Sequence, residues 1–138
     1  MSKYLLSISC WVNVPSNISV NSRYDIVSNG GNLALEGTYL LTLQDLGSNG
    51  SLYVCSNIVV DTATDIGVIG VSRINDGNWH LINMCSLVGS GSDYLNIYVD
   101  GVLEASTTFS NTVTFVQHSG ELTTFGIRDS VSYSGNTY

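Results

Sequence analysis

The 138-residue sequence predicts an all-β fold, a sandwich of two antiparallel sheets, and three observations predict it. Runs of alternating apolar and polar residues recur along the whole chain, which is the period of two that a half-buried sheet imposes. Turn clusters such as Asn29-Gly30-Gly31-Asn32, Asn75-Asp76-Gly77-Asn78, Gly89-Ser90-Gly91-Ser92 and Asp100-Gly101 punctuate those runs, and the predicted strands recur about every 8–12 residues. Almost no helical periodicity intervenes, so the strands must stack sheet on sheet. The length suits one domain, residues 1–138, with one two-layer core.

Residues 4–14 read as a long opening strand. Leu6, Ile8, Cys10, Val12 and Val14 share one face, expected to meet the core, and Leu5, Ser7, Ser9, Trp11 and Asn13 share the other. Pro15, the only proline, ends it, and residues 16–22 form a polar connection broken by Ile18 and Val20. Residues 24–28 form a short strand. Residues 38–44 and 51–56 flank a hairpin loop at 45–50, residues 58–60 continue its second arm, and residues 61–65 turn the chain into an apolar run at 66–73. After the Asn75 to Asn78 cluster, residues 79–87 form a strand. Residues 94–99 return with Tyr94, Asn96 and Tyr98 opposite in direction to Leu95, Ile97 and Val99. Asp100-Gly101 then makes a two-residue hairpin into residues 102–105, because that dipeptide suits the positive φ such turns need. Residues 112–116 and 122–127 are the last predicted strands, separated by Gln117-His118-Ser119-Gly120. The chain shows neither an internal repeat nor a low-complexity segment.

Two of these stretches together resemble a known family. Asp76-Gly77-Asn78-Trp79-His80, followed after a strand and a polar loop by Tyr98-Val99-Asp100-Gly101, is similar to the pattern of laminin-G-like, or concanavalin A-like, jelly-roll domains. Leu6-Ser7-Ile8-Ser9-Cys10-Trp11-Val12 resembles the family's opening strand, and Thr124-Phe125-Gly126-Ile127 is a weaker echo near the end. The resemblance implies a jelly roll that recognises glycans or protein surfaces through rim loops, sometimes around calcium. It also implies strands before the opening one and after Arg128 that this sequence lacks. The sheet edge beside residues 4–14 is then expected to lie open, to be covered by pairing between subunits in a homo-oligomer or with another partner; the alternatives are that the sequence is a fragment of a larger chain, or that the turn loops differ and the chain closes on itself in a smaller sandwich.

Composition narrows the partners. The net charge is −7, with only Lys3, Arg23, Arg73 and Arg128 as cations, which removes the electrostatic attraction that dominates nucleic-acid affinity. DNA, RNA and anionic membrane surfaces are excluded on that ground, and no run approaches the ~18 apolar residues of a membrane span. Only 11% of residues are charged, so the surface is polar through Ser, Thr, Asn and Gly, which suits an extracellular or virion-exposed domain. Residues 1–10 do not form a recognisable secretory signal. Cys10, Cys55 and Cys85 show no metal or dithiol spacing and are expected to pack as small apolar groups. The sequence leaves a single bridge between two of them open.

Chemistry is sparse. A glycoside hydrolase needs two carboxylates a few ångströms apart. Glu36, Glu104 and Glu121 are isolated, and Glu36 and Glu104 are expected to be solvated charges. His80 lies near Asp76, yet no serine or cysteine elbow accompanies it, so it is expected to serve the turn; His118 is expected at the surface. The chain is therefore expected to be non-catalytic. The resemblance directs attention to two loops, where Asn29, Asn32, Asp129, Tyr133 and Tyr138 are the candidate ligand-binding residues. Asp129 with Asn136 is the candidate calcium pair, calcium preferring such hard oxygen donors. Two functions follow as expectations: a recognition module for carbohydrate or protein, or an assembly domain, for example of a phage or surface protein, without a small ligand.

Overall fold

The computed structural model describes residues 4–18, 23–29, 38–47, 50–61, 64–89, 91–110 and 123–126. Over them the chain forms β1 (Tyr4–Asn13), β2 (Arg23–Asn29), β3 (Tyr39–Asp45), β4 (Leu52–Asp61), β5 (Thr64–Ile69), β6 (Trp79–Val88), β7 (Asp93–Val99), β8 (Val102–Phe109) and β9 (Thr123–Phe125). The strands build a four-stranded sheet, β1-β6-β7-β8, and a five-stranded sheet, β5-β4-β3-β2-β9, both antiparallel. The fold is an all-β jelly-roll sandwich. The chain crosses from the first sheet to the second after β1 and returns at β6, so residues 4–13 pair with a strand 66 to 84 positions away, Tyr4 opposite Val88 and Asn13 opposite Trp79.

Alternation decides what each face meets. Ile82, Met84 and Val88 of β6 and Leu95, Ile97 and Val99 of β7 point inward and meet Leu41, Leu43, Leu52, Val54 and Ile58 of the other sheet. Each such side chain contributes about 1.5–3 kcal/mol by leaving water. The inward row of β1, Leu6, Ile8, Cys10 and Val12, packs on this core and is half-buried.

The predicted strands recur with shifted ends. The arm at 51–56 and its continuation at 58–60 are one strand, β4. The apolar run at 66–73 stops at Ile69, and β8 runs on to Phe109. Residues 112–116 lie outside the described residues. All three cysteines are free thiols, Cys55 buried and Cys10 and Cys85 half-buried. Burial pushes the Cys55 thiol up to about 11 and raises Cys10 as well.

Glu104 departs from expectation. It is the extra residue of a bulge in β8, where the register steps from Ile97–Ala105 to Tyr98–Leu103. Rather than reaching into water, its Oε2 accepts the backbone N–H groups of Val71 and Ser72, both at 2.9 Å. Gly70 makes the approach feasible, since a Cβ there would stand 2.7 Å from the same oxygen. Asn75 anchors the end of that loop: its amide donates to Gly50 O at 2.8 Å, and its Oδ1 accepts from Leu52 N at 2.8 Å and Arg73 Nε at 3.1 Å.

Candidate functional site

The two outer faces of the sandwich differ. On the five-stranded sheet the outward residues Leu40, Thr42, Cys55 and Val59 are buried, and Asp25 beside them is held by Arg23 at 2.8 Å. On the four-stranded sheet the outward residues are exposed or half-buried from one edge to the other. Only this sheet therefore offers, among the described residues, a broad open face.

Register arranges that face in rows. Leu5, Leu87, Tyr94 and Thr108 lie side by side at one end. Two polar rows follow, Ser7-Cys85-Asn96-Ser106 and Ser9-Asn83-Tyr98-Leu103. They are cross-linked where Asn83 Nδ2 donates to Ser9 Oγ at 2.7 Å and Ser106 Oγ donates to Asn96 Oδ1 at 2.7 Å. At the far end Trp11 stands opposite Leu81, and Trp79 stands opposite Asn13. Trp11 and Trp79 are thus diagonal neighbours, about 7–8 Å apart at the backbone, and 62% and 65% exposed. No Asp, Glu, Lys or Arg stands in these rows. Beside Tyr94 and Thr108 the face runs into a shallow pocket of about 510 Å³, completed by Gly91, Ser92, Phe109 and Ser110.

The tryptophan end is fixed by a charged clip at the rim. His80 opens β6 just after the Asn75 to Asn78 turn, and its side chain is 13% exposed. Its Nδ1 donates to Asp100 Oδ2 at 2.8 Å and its Nε2 donates to Asp76 Oδ1 at 3.0 Å. Ionised carboxylates only accept, so both bonds are made together by the protonated ring, the imidazolium. The bond to Asp100, joined by that to Asp76, raises His80 above its ordinary 6.5. Asp76 is held well below the carboxylate range, first by the Asn78 N–H, then by the Asn78 amide and His80. Asp100 is lowered by His80 and by the Leu81 N–H that its Oδ1 accepts at 2.8 Å. Asp100 tolerates φ +51° and Gly101 takes φ +81°, the twisted two-residue turn that brings the carboxylate back over β6. Gly77 ties the clip to β1: its N–H donates to Val14 O at 3.1 Å and its carbonyl accepts from Asn13 Nδ2 at 2.9 Å.

The clip explains the spacing of the two sequence motifs. Asp76, His80 and Asp100 are three members of one hydrogen-bonded group, which ties the Asp-Gly-x-Trp-His and Val-Asp-Gly stretches of this chain to each other. While it is protonated and held by both carboxylates, the ring has no free lone pair to accept a proton or bind a metal. Among the described residues no three His, Cys, Asp or Glu side chains gather as a metal site.

A family model described as the concanavalin A-like lectin/glucanases superfamily, of laminin G type, matches residues 2–136. The chain belongs to that superfamily. A search of curated proteins returned no match. Within this laminin-G-like domain, Asn29 is buried at the end of β2, its amide donating to Thr123 Oγ1 at 2.8 Å. Asn32, Asp129, Tyr133, Asn136 and Tyr138 lie outside the described residues, as do Glu36, His118 and Glu121. The domain's open face was not singled out from sequence, although Trp11 and Leu5 already fell on the outward side of their strand. Large apolar residues on a solvent face are the signal that points to such a surface.

Proposed function

We propose that the domain is a non-catalytic recognition module that takes a glycan on the outer face of the four-stranded sheet. The observation that carries this reading is the exposed pair Trp11 and Trp79 beside rows of serine, asparagine and tyrosine. Indole rings offer flat apolar surface to a sugar face, and the amides and hydroxyls match sugar hydroxyls as donors and acceptors. The lack of charge in the rows favours a neutral glycan over a sulfated or acidic one. Without carboxylates there, the rows lack the acid and nucleophile that glycoside hydrolysis uses. An extracellular or virion surface is the setting where such a ligand is met.

A glycan array probed with and without calcium tests this. Binding of neutral glycans that drops at least tenfold in Trp11→Ala and Trp79→Ala, with folding intact, is the expected result. Silence across the array sinks the reading. Binding that needs calcium and ignores both tryptophans returns the site to the rim loops with Asn32, Asp129, Tyr133, Asn136 and Tyr138.

A second reading, assembly, is favoured by β1. That strand is an edge among the described residues, and it carries no charge to discourage another strand.

A further inference from the structure

We propose that His80 is a positioning residue for the open face. Its charged ring locks the loop that carries Trp79, so a glycan binds strongly while the ring is an imidazolium and more weakly once the ring loses its proton. The inference deepens the glycan reading above and rests on it.

Trp79 has little packing of its own to hold it. It is 65% exposed, so the direction of its indole follows the backbone of residues 78–80. That backbone is tied on both sides of the tryptophan to one carboxylate. Asp76 accepts the Asn78 N–H and the Asn78 amide, both at 2.8 Å, on one side, and His80 Nε2 at 3.0 Å on the other. His80 Nδ1 extends the ties to Asp100 at 2.8 Å. The second oxygen of Asp100 accepts the Leu81 N–H, and the Asp100 N–H donates to Leu81 O, each at 2.8 Å. Gly77 is bonded to Val14 and Asn13 of the first strand, and Asn13 stands opposite Trp79. The tryptophan thus sits within a ring of contacts drawn from β1, β6 and the β7–β8 hairpin, and the two bonds of His80 close that ring.

Only the charged imidazole can make both bonds. A neutral ring has one N–H, and its other nitrogen turns a lone pair toward a carboxylate. Deprotonation therefore releases either the loop from Asp76 or the start of β6 from Asp100. Among the described residues these two carboxylates are the charged groups that act on the ring, while the first strand sets Val12, which does not titrate, opposite it. Both carboxylates are held low and stay ionised across the neutral range. His80 is raised above its ordinary 6.5, so the contacts are closed below that value and open as pH rises through the higher folded one. An indole that has been released must be ordered again by the ligand, which weakens binding by about two- to tenfold for one immobilised side chain.

Two measurements from about pH 5.5 to about pH 9 test this, with circular dichroism to verify folding. The chain has two tryptophans, so Trp11→Phe leaves Trp79 alone. Its fluorescence anisotropy, corrected for lifetime, is expected to be high at the acid end and to fall in one step above 6.5. Trp79→Phe, which reports on Trp11, is expected to show no step. An array of neutral glycans is expected to bind the wild type about two- to tenfold more weakly at the alkaline end, and His80→Gln weakly throughout. The Trp11→Phe protein keeps His80, so the step is read whether or not His80→Gln folds. A level anisotropy for Trp79, or array binding that is equal at both ends, overturns the inference while leaving the glycan reading in place. So does a pH dependence that survives in His80→Gln, since it then belongs to Cys85 or to the tyrosines of the face. An array silent at every pH overturns both.

Discussion

His80 stands between two carboxylates that it must neutralise as a cation, and this makes the clip sensitive to pH at both ends. Its folded-state pKa is raised, so its contribution to stability is complete below the ordinary 6.5 and fades as pH rises through the higher folded value. Asp76 and Asp100 are lowered, so theirs is complete above the ordinary 3.8 and fades as pH falls through their folded values. The clip is therefore strongest between those limits. His80→Gln is expected to cost about 1 kcal/mol near pH 5.5, a modest figure because both carboxylates are open to solvent. The cost is expected to shrink as the pH is raised past neutrality. Thermal melts of both proteins across that range check the sign: a gap that widens with pH would exclude the imidazolium.

Among the elements, β8 shows how one irregularity joins two layers. The bulge at Ile97 and Tyr98 turns Glu104 off its strand and toward the loop after β5, where one carboxylate oxygen satisfies two amides. Removing the carboxylate leaves those amides without it, and Glu104→Ala is expected to cost about 1.5–3 kcal/mol, as for hydrogen bonds to charged groups. Gly70→Ala drives a methyl group onto the same oxygen and is expected to displace it. Since both changes break one contact, their effects should not add. A double-mutant cycle by urea denaturation is the check, with the double variant expected to be no more than slightly worse than Glu104→Ala alone.

In the whole molecule, the core and the open face answer to different forces. Ile82→Ala removes a side chain that lies between both sheets and is expected to cost about 2–5 kcal/mol. Trp11→Ala and Trp79→Ala remove larger side chains that face water, and are expected to change stability by about 0.5 kcal/mol or less. Denaturant unfolding of the three variants separates the two roles. Large aromatic groups that contribute little to folding are then available for recognition.

The amino-acid order by itself determined the strands, the inward rows and the Asp100-Gly101 hairpin, because alternation and turn chemistry act between residues close in the chain. It also marked the laminin-G-like pattern through Asp76, His80 and Asp100, while leaving its reason obscure. Tertiary structure alone decided that His80 bridges both aspartates, that Glu104 serves the opposite layer, and that Trp11 stands beside Trp79. Those meetings depend on which distant strands become neighbours and in what register. Pairing of β1 with β6 is fixed by burial of the common core, a property of the assembled sheets that no local run of residues contains.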